Sequence, residues 1–133
     1  MVTKSSILGL IAALAVVLIA VSVVGEDTDS QIPKIVAVEE SGFSQSCVET
    51  GCYTPSVATV DVGGVVTMTN TDPTGVHTFT SGTVDGFAPS PDGTFDTGVL
   101  MSGDAFEWTP TASGEYPYYC MLHTWMTGTI IVN

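Results

Sequence analysis

A short segment near the end of the chain, YYCMLHTWM at 118–126, combines one cysteine, one histidine and two methionines. Cys120, His123 and Met126 follow the spacing C-x2-H-x2-M, although the whole chain has only three cysteines and two histidines. A thiolate, an imidazole and a thioether can all bind a metal ion. Their spacing places the three side chains on one short loop, where they can point towards a common centre.

The second histidine, His77, is the candidate for a further ligand. It follows the turn sequence NTDPTG and precedes a threonine-rich segment, 43 positions before Cys120. The loops of a β-sandwich collect at its two ends, so residues this far apart in sequence can meet there. Two imidazoles, one thiolate and one thioether suit copper, whereas zinc prefers a full set of strong cysteine and histidine ligands.

Each of these residues also has an ordinary structural interpretation when taken alone. Cys120 could be a buried thiol, Met126 could fill the core, and His77 could satisfy a backbone carbonyl. Together, in one chain with so few cysteines and histidines, they favour a metal site. The sequence therefore predicts one copper ion bound by His77, Cys120, His123 and Met126.

The elements that would position these residues are β-strands. The candidate strand segments are KIVAVEE (34–40), VATVDVGGVVTMTN (57–70), HTFTSG (77–82), AFEWTP (105–110), EYPYYC (115–120) and TGTIIV (127–132). The segment 57–70 is typical of a hairpin around Gly63 and Gly64. Residues 83–104, rich in Gly, Pro, Asp and Thr, are expected to be mostly loop. The pattern predicts an all-β, antiparallel sandwich of about seven to eight strands.

The N-terminal part has a different character. Residues 7–24 are apolar except for Ser22, and Lys4 precedes them while acids follow. This pattern predicts a transmembrane helix with the following domain on the outer side of the membrane. A cleaved signal peptide is the alternative. The expected organisation is an anchor or signal segment at 1–25, an acidic linker at 26–32 and a copper-binding domain at 33–133.

The charge of the chain restricts its partners. Lys4 and Lys34 face 14 acids, which gives a formal net charge of −12. Such a surface repels the phosphates of nucleic acids. If the copper ion serves electron transfer, the acids favour redox proteins with basic docking faces. The apolar segment 7–24 places that encounter in a periplasmic, pseudoperiplasmic or extracellular compartment.

The remaining cysteines, Cys47 and Cys52, lie in SCVETGCYTP, away from the metal-binding segment. In an exported domain, the simplest interpretation of this pair is a disulfide. Reduced thiols or a second metal site are the alternatives, although no histidine is left for a second site.

Residues 33–133 resemble the cupredoxins, the plastocyanin and amicyanin family of type 1 blue copper proteins. The similarity rests on G-x-Y-x-Y-x-C-x2-H at 114–123, on VGGVVTMTNTD followed by VHTFTSG, and on DGTFDTGVLMSGDAFEWT. It implies a Greek-key sandwich in which His77, Cys120 and His123 hold copper and Met126 is axial. The gap between His123 and Met126 is similar to that of amicyanin. Thr78 stands where plastocyanins often place Asn, and Thr124 and Trp125 stand where Pro is common.

The resemblance implies an electron carrier rather than an enzyme. In the family, electrons leave through the edge of the loop histidine and an apolar patch around it. Here that histidine is His123, and the candidate patch comprises Met121, Leu122, Trp125, Pro73 and Val76. Core packing is the alternative role for Trp125. Two other functions remain open: a small copper enzyme with an open site for a small molecule, and a copper store or chaperone.

Overall fold

Strands form where apolar and polar residues alternate, because successive side chains of a strand point to opposite faces. In the segment Val57–Val60, Ala58 and Val60 are buried while Val57 and Thr59 are exposed. The computed structural model of the chain describes residues 32–133. The predicted anchor at 7–24 lies outside the described residues. Within 32–133, no helix has the length and apolar character needed to cross a membrane.

Residues 32–133 contain nine strands, one more than the upper end of the predicted number. The strands are β1 (Lys34–Ala37), β2 (Tyr53–Thr54), β3 (Val57–Val60), β4 (Val66–Asn70), β5 (Thr80–Asp85), β6 (Ala88–Asp96), β7 (Ala105–Trp108), β8 (Gly114–Tyr119) and β9 (Thr127–Val132). A short 3-10 helix, Gln45–Val48, lies between β1 and β2.

The strands form two sheets that enclose the core. One sheet has the order β2-β1-β4-β7 and the other has the order β3-β9-β8-β5-β6. The pairs β1/β4 and β3/β9 are parallel, so the prediction of a purely antiparallel sandwich is wrong. The parallel pairs arise because the chain changes sheet five times, which separates strands that are close in sequence.

The predicted hairpin at 57–70 is wrong for the same reason. β3 pairs with β9 in one sheet, whereas β4 pairs with β1 and β7 in the other. Gly63 and Gly64 therefore lie in a crossover between the sheets. The amide of Gly63 donates to the carbonyl of Pro110 at 2.9 Å, which holds this crossover to the segment after β7.

The region 83–104 is not mostly loop, because β5 extends to Asp85 and β6 covers Ala88–Asp96. β6 is an edge strand and pairs with β5 alone. It therefore tolerates Pro89 and Pro91, which have no backbone N–H to donate. A shift in register interrupts the β5–β6 ladder at Gly82, whose φ is 134°. A Cβ there would lie 2.1 Å from the carbonyl oxygen of Ser90, so only glycine fits.

Aromatic rings fill the space between the sheets. The ring of Tyr118 lies 5.0 Å from that of Tyr53 and 5.8 Å from that of Phe79, measured between centroids. Phe95 extends this cluster to Trp108, with 4.6 Å between their rings. The cluster packs β8 against the opposite sheet, and β8 ends directly before Cys120.

Candidate metal centre

The loop between β8 and β9 presents the three residues of the C-x2-H-x2-M segment. Cys120 follows the last residue of β8, and Met126 precedes the first residue of β9. The amide of Cys120 donates to the carbonyl of Met126 at 3.1 Å, and the amide of Met126 donates to the carbonyl of His123 at 2.9 Å. Because the loop is short, these two hydrogen bonds close it into a tight turn.

His77 reaches the same place from the other side of the sandwich end. It precedes β5 and pairs with Leu100 in an isolated antiparallel bridge. The predicted strand at 77–82 therefore begins later than expected, at Thr80. Both backbone hydrogen bonds of the bridge form, at 3.2 and 2.8 Å, and they fix the position of His77 independently of β5.

The structure brings His77, Cys120 and His123 together. Their potential ligand atoms all lie within 4.8 Å of one another. The Sγ atom of Cys120 is 3.6 Å from Nδ1 of His123, and the two imidazole rings are 5.1 Å apart. His77, Cys120 and Met126 are fully buried, while His123 is partly exposed. Met126 lies at the base of the same loop, and its axial role stays a prediction.

The orientation of His77 is set by Asp72, which the sequence indicates only as part of a turn. Nε2 of His77 and Oδ2 of Asp72 are 2.8 Å apart, and both side chains are fully buried. An ionised carboxylate can only accept, so Nε2 carries the hydrogen and the lone pair of the neutral ring lies on Nδ1. That Nδ1 atom is buried and has no hydrogen-bond partner.

Asp72 is itself held in place by its neighbours. Oδ1 accepts from the amide of Thr74 at 3.0 Å and from its hydroxyl at 2.8 Å. Burial alone would raise the pKa of Asp72, but the hydrogen bonds from His77 and Thr74 outweigh it and lower the pKa to about 2. The amide of Asp72 donates to Asn70, whose own amide group donates to the carbonyls of Gly75 and Leu100. This network connects the turn to the bridge that carries His77.

The Cys120 thiol lies in surroundings that favour its ionised form. Burial raises its pKa, but the nearby His77 imidazole and the amide of Thr78 more than compensate, so the pKa lies below its ordinary value. The Thr78 amide donates to Sγ at 3.4 Å. The thiolate is the form that binds metals, so these surroundings suit a metal ligand.

His123 is favoured in its neutral form, which a metal ligand must have. Burial lowers its pKa, and the neighbouring His77 lowers it further.

Thr78 links the two halves of the site. Its hydroxyl accepts from the amide of Met121 at 2.9 Å and lies 3.0 Å from the hydroxyl of Thr80. This residue stands where plastocyanins often place Asn, and here its hydroxyl ties the loop of Cys120 and His123 to the segment of His77.

The predicted apolar patch has exposed and half-buried members. Leu122, Met121 and Pro73 are exposed, with 49% of Leu122 and 44% of Met121 accessible. Val76 and Trp125 are half-buried. Trp125 also packs against the core, so its predicted alternative role is present as well.

The loop between β1 and the 3-10 helix lies against the site, although the sequence does not indicate this position. The indole Nε1 of Trp125 donates to the carbonyl of Ser41 at 2.9 Å, across 84 positions of sequence. A Cβ at Gly42 would lie 2.8 Å from Cε1 of His123. Phe43 beside it is 73% exposed. The sequence SGFS does not predict that these residues lie beside the site, because their contacts depend entirely on tertiary structure.

Cys47 and Cys52 form the predicted disulfide, and Cys120 is the free cysteine of the chain. The disulfide closes the segment that contains the 3-10 helix, whose N-cap is Ser44. The alternatives of reduced thiols or a second metal site for this pair are therefore wrong.

Comparison with known proteins identifies the fold. No protein-family model and no curated protein sequence matches the chain. Among solved structures, a purple cupredoxin from Nitrosopumilus maritimus is 27% identical, with a TM-score of 0.59 over 76% of this chain and 99% of that one. A copper-containing nitrite reductase from Thermus scotoductus is 28% identical, with a TM-score of 0.55, and the match covers 76% of this chain but 22% of the reductase.

A reduced amicyanin variant matches with a TM-score of 0.53 over 80% of this chain and 87% of its own, at 19% identity, and so supports the fold alone. The two-sheet sandwich of residues 32–133 has the cupredoxin fold. At one end of that sandwich lies a His/Cys/His cluster.

Proposed function

We propose that this chain is a type 1 copper electron-transfer protein. In this proposal His77, Cys120 and His123 bind one copper ion, and Met126 is a weak axial ligand. Copper bound by this set of donors supplies a one-electron Cu(II)/Cu(I) couple. The resemblance to a purple cupredoxin over its whole length supports the same function.

One observation carries the proposal. Nδ1 of His77 is a buried polar atom without a partner, and leaving such an atom unsatisfied costs about 1–3 kcal/mol. It lies in a cluster with the Cys120 thiol and the imidazole of the partly exposed His123. A metal ion at the centre of these atoms satisfies the orphaned nitrogen, while Asp72 holds the ring in the tautomer that such an ion requires.

The burial of the donors favours a carrier over the small copper enzyme considered above. His77, Cys120 and Met126 have no accessible surface, so within residues 32–133 only His123 offers a partly exposed route to the cluster. An electron can pass through an imidazole edge, whereas a substrate needs space beside the metal. A copper store or chaperone fits less well, because this cysteinate set also suits Cu(II).

We also propose that the carrier works at the outer face of a membrane, anchored by residues 7–24, and meets partners with basic faces. The apolar run after Lys4 supports the anchor. The acidic composition supports the choice of partner.

The visible absorption spectrum of the copper-loaded chain tests the proposal. We expect one bound copper ion and an intense thiolate-to-Cu(II) charge-transfer band. Cys120→Ser should abolish the band, because the transition requires the Cu–S bond.

The matched control replaces the other two cysteines by alanine, Cys47→Ala with Cys52→Ala, and should keep the band because these residues lie outside the cluster. Strong colour in Cys120→Ser, or its loss in the control variant alone, would show that the ligand assignment is wrong.

A further inference from the structure

The loop between β1 and the 3-10 helix, residues 38–44, lies directly on the two imidazoles. A Cβ added to Gly42 would be 2.8 Å from Cε1 and 3.0 Å from Nε2 of His123. It would also be 3.2 Å from Cε1 of His77. Carbon atoms in normal contact are about 3.5–4.0 Å apart, so the backbone reaches this depth only because residue 42 has no side chain.

Nδ1 of His123 faces the Cys120 sulfur, and the adjoining edge of the ring, with Cε1 and Nε2, faces Gly42. Gly42 therefore covers part of the one ligand ring that is partly exposed. His123 as a whole remains half-buried, and its neighbour in sequence, Leu122, is exposed.

The loop is held in this position from several sides. The amide of Val38 donates to the carbonyl of Cys52 at 2.9 Å, next to the disulfide. Within the loop, Ser41 donates to Val38 at 3.2 Å and Phe43 donates to Glu40 at 3.0 Å. The indole of Trp125, whose ring lies 5.3 Å from that of His123, donates to the carbonyl of Ser41.

We infer that Gly42 determines the selectivity of the site, because it lets residues 38–44 close over the imidazole pair and exclude small molecules while part of His123 stays accessible to a partner protein. This inference extends the proposed function to a named residue and depends on it for the identity of the metal. A side chain at position 42 has to move either the loop or the His123 ring. Both movements open a gap beside the ligands.

The first test uses the full-length chain in mild detergent without copper. Diethyl pyrocarbonate acylates accessible neutral imidazoles, and mass spectrometry assigns the modified residue. We expect Gly42→Ala to increase the acylation rate of His123 about tenfold, equivalent to about 1.4 kcal/mol. Gly64→Ala is the matched control, because its Cβ would be similarly crowded, 2.7 Å from Cγ2 of Val60, but in the crossover after β3. It should leave the rate unchanged.

The second test adds azide to the copper-loaded proteins and follows the visible spectrum. Azide should bind about tenfold more tightly to Gly42→Ala than to the wild type or to Gly64→Ala. Trp125→Phe removes the hydrogen bond to Ser41 and leaves Gly42 in place, so it tests the same loop if Gly42→Ala fails to fold. It should also increase the acylation of His123.

Equal acylation rates and equal azide affinities in folded Gly42→Ala, Trp125→Phe and wild type would overturn the inference and leave the electron carrier untouched. A wild type without bound copper or charge-transfer band would overturn the proposed function instead. The acylation of the copper-free chain would then still decide whether the loop covers His123.

Discussion

Nδ1 of His77 is free to bind a metal because Asp72 occupies the other ring nitrogen. A hydrogen bond of this kind fixes the ring orientation and increases the basicity of the ligand, and its loss typically costs 10–100-fold in metal affinity. Burial makes the contact more effective, since neither side chain has access to water. We therefore expect the metal affinity of the proposed site to depend on Asp72, five positions before His77.

We expect Asp72→Asn to lower copper affinity by about 10–100-fold, because an amide carries no charge and can present either a donor or an acceptor to Nε2. Competition with a copper chelator measures the change. Asp92→Asn is the matched control, because Asp92 also accepts from a backbone amide two residues later, that of Thr94 at 2.9 Å, but in β6. Equal affinities in the two variants would show that Asp72 serves only the turn.

Met126 is the basis of a second prediction about a single residue. Met126→Leu should leave copper bound and raise the reduction potential, because the axial thioether modestly favours Cu(II) and a drier site favours Cu(I). Voltammetry of the purified variant measures the shift. Met68→Leu, an equally buried methionine in β4, should leave the potential nearly unchanged. Loss of copper from Met126→Leu, or a lower potential, would contradict weak axial ligation.

Among the strands, the two that flank the loop of Cys120, His123 and Met126 were predicted well. β8 is rich in tyrosine and β9 in β-branched residues, both typical of strands, and their short connection leaves little choice of geometry. The crossover at Gly63 and the edge strand β6 were not predictable in this way. A Gly-Gly pair permits either a hairpin or a crossover, and the choice depends on pairing with distant strands. Proline-rich edge strands resemble loops in composition because their outer side forms no hydrogen bonds.

The same distinction holds for the site. Cys120, His123 and Met126 could be found from their spacing, and His77 because it is the other histidine. Asp72 and Gly42 could not be found, since their roles depend on close approach in space. The hydrogen bonds between Asp72 and Thr74 within the NTDPTG turn already explain an aspartate at this position. Nothing in the sequence therefore indicates the contact between Asp72 and His77.

The disulfide stabilises the segment between β1 and β2 and hence the base of the loop that reaches His123. Replacing both Cys47 and Cys52 by alanine should lower the free energy of unfolding by about 2 kcal/mol, the value expected for a closed loop this short. Guanidinium unfolding of the copper-free chain measures the change. Unchanged stability would mean that strain or residual structure in the unfolded chain offsets the loop entropy.

In the proposed carrier, the charge of the whole molecule and the apolar patch are expected to act together. Three of the 14 acids precede Ile32, so eleven lie within residues 32–133, where Lys34 is the only lysine or arginine. The field of such a surface reaches about 8–10 Å at physiological salt and attracts a basic partner. The exposed Met121 and Leu122 next to His123 then form a contact of the kind from which a partner can also dissociate quickly.

Electron exchange with a basic cytochrome, measured across a salt series, separates these two contributions. The rate of the wild type should fall as salt increases, because screening shortens the reach of the attraction. Leu122→Lys should slow the exchange further at every salt concentration, since it places a charge on the docking contact beside His123. Its visible spectrum should remain nearly intact, because the four proposed ligands are unchanged.

The matched control is Phe87→Lys, which adds the same charge at a side chain that is 77% exposed. Phe87 lies in the turn between β5 and β6, at the end of β5 away from His77. Both variants weaken the overall attraction equally, so the difference between their rates isolates the contact at Leu122. Equal rates in the two variants would exclude this patch as the docking face. A different outcome would favour a small copper enzyme with an open site. In that case the exchange rates would change neither with salt nor with the new lysines, and azide would strongly shift the copper spectrum of the wild type.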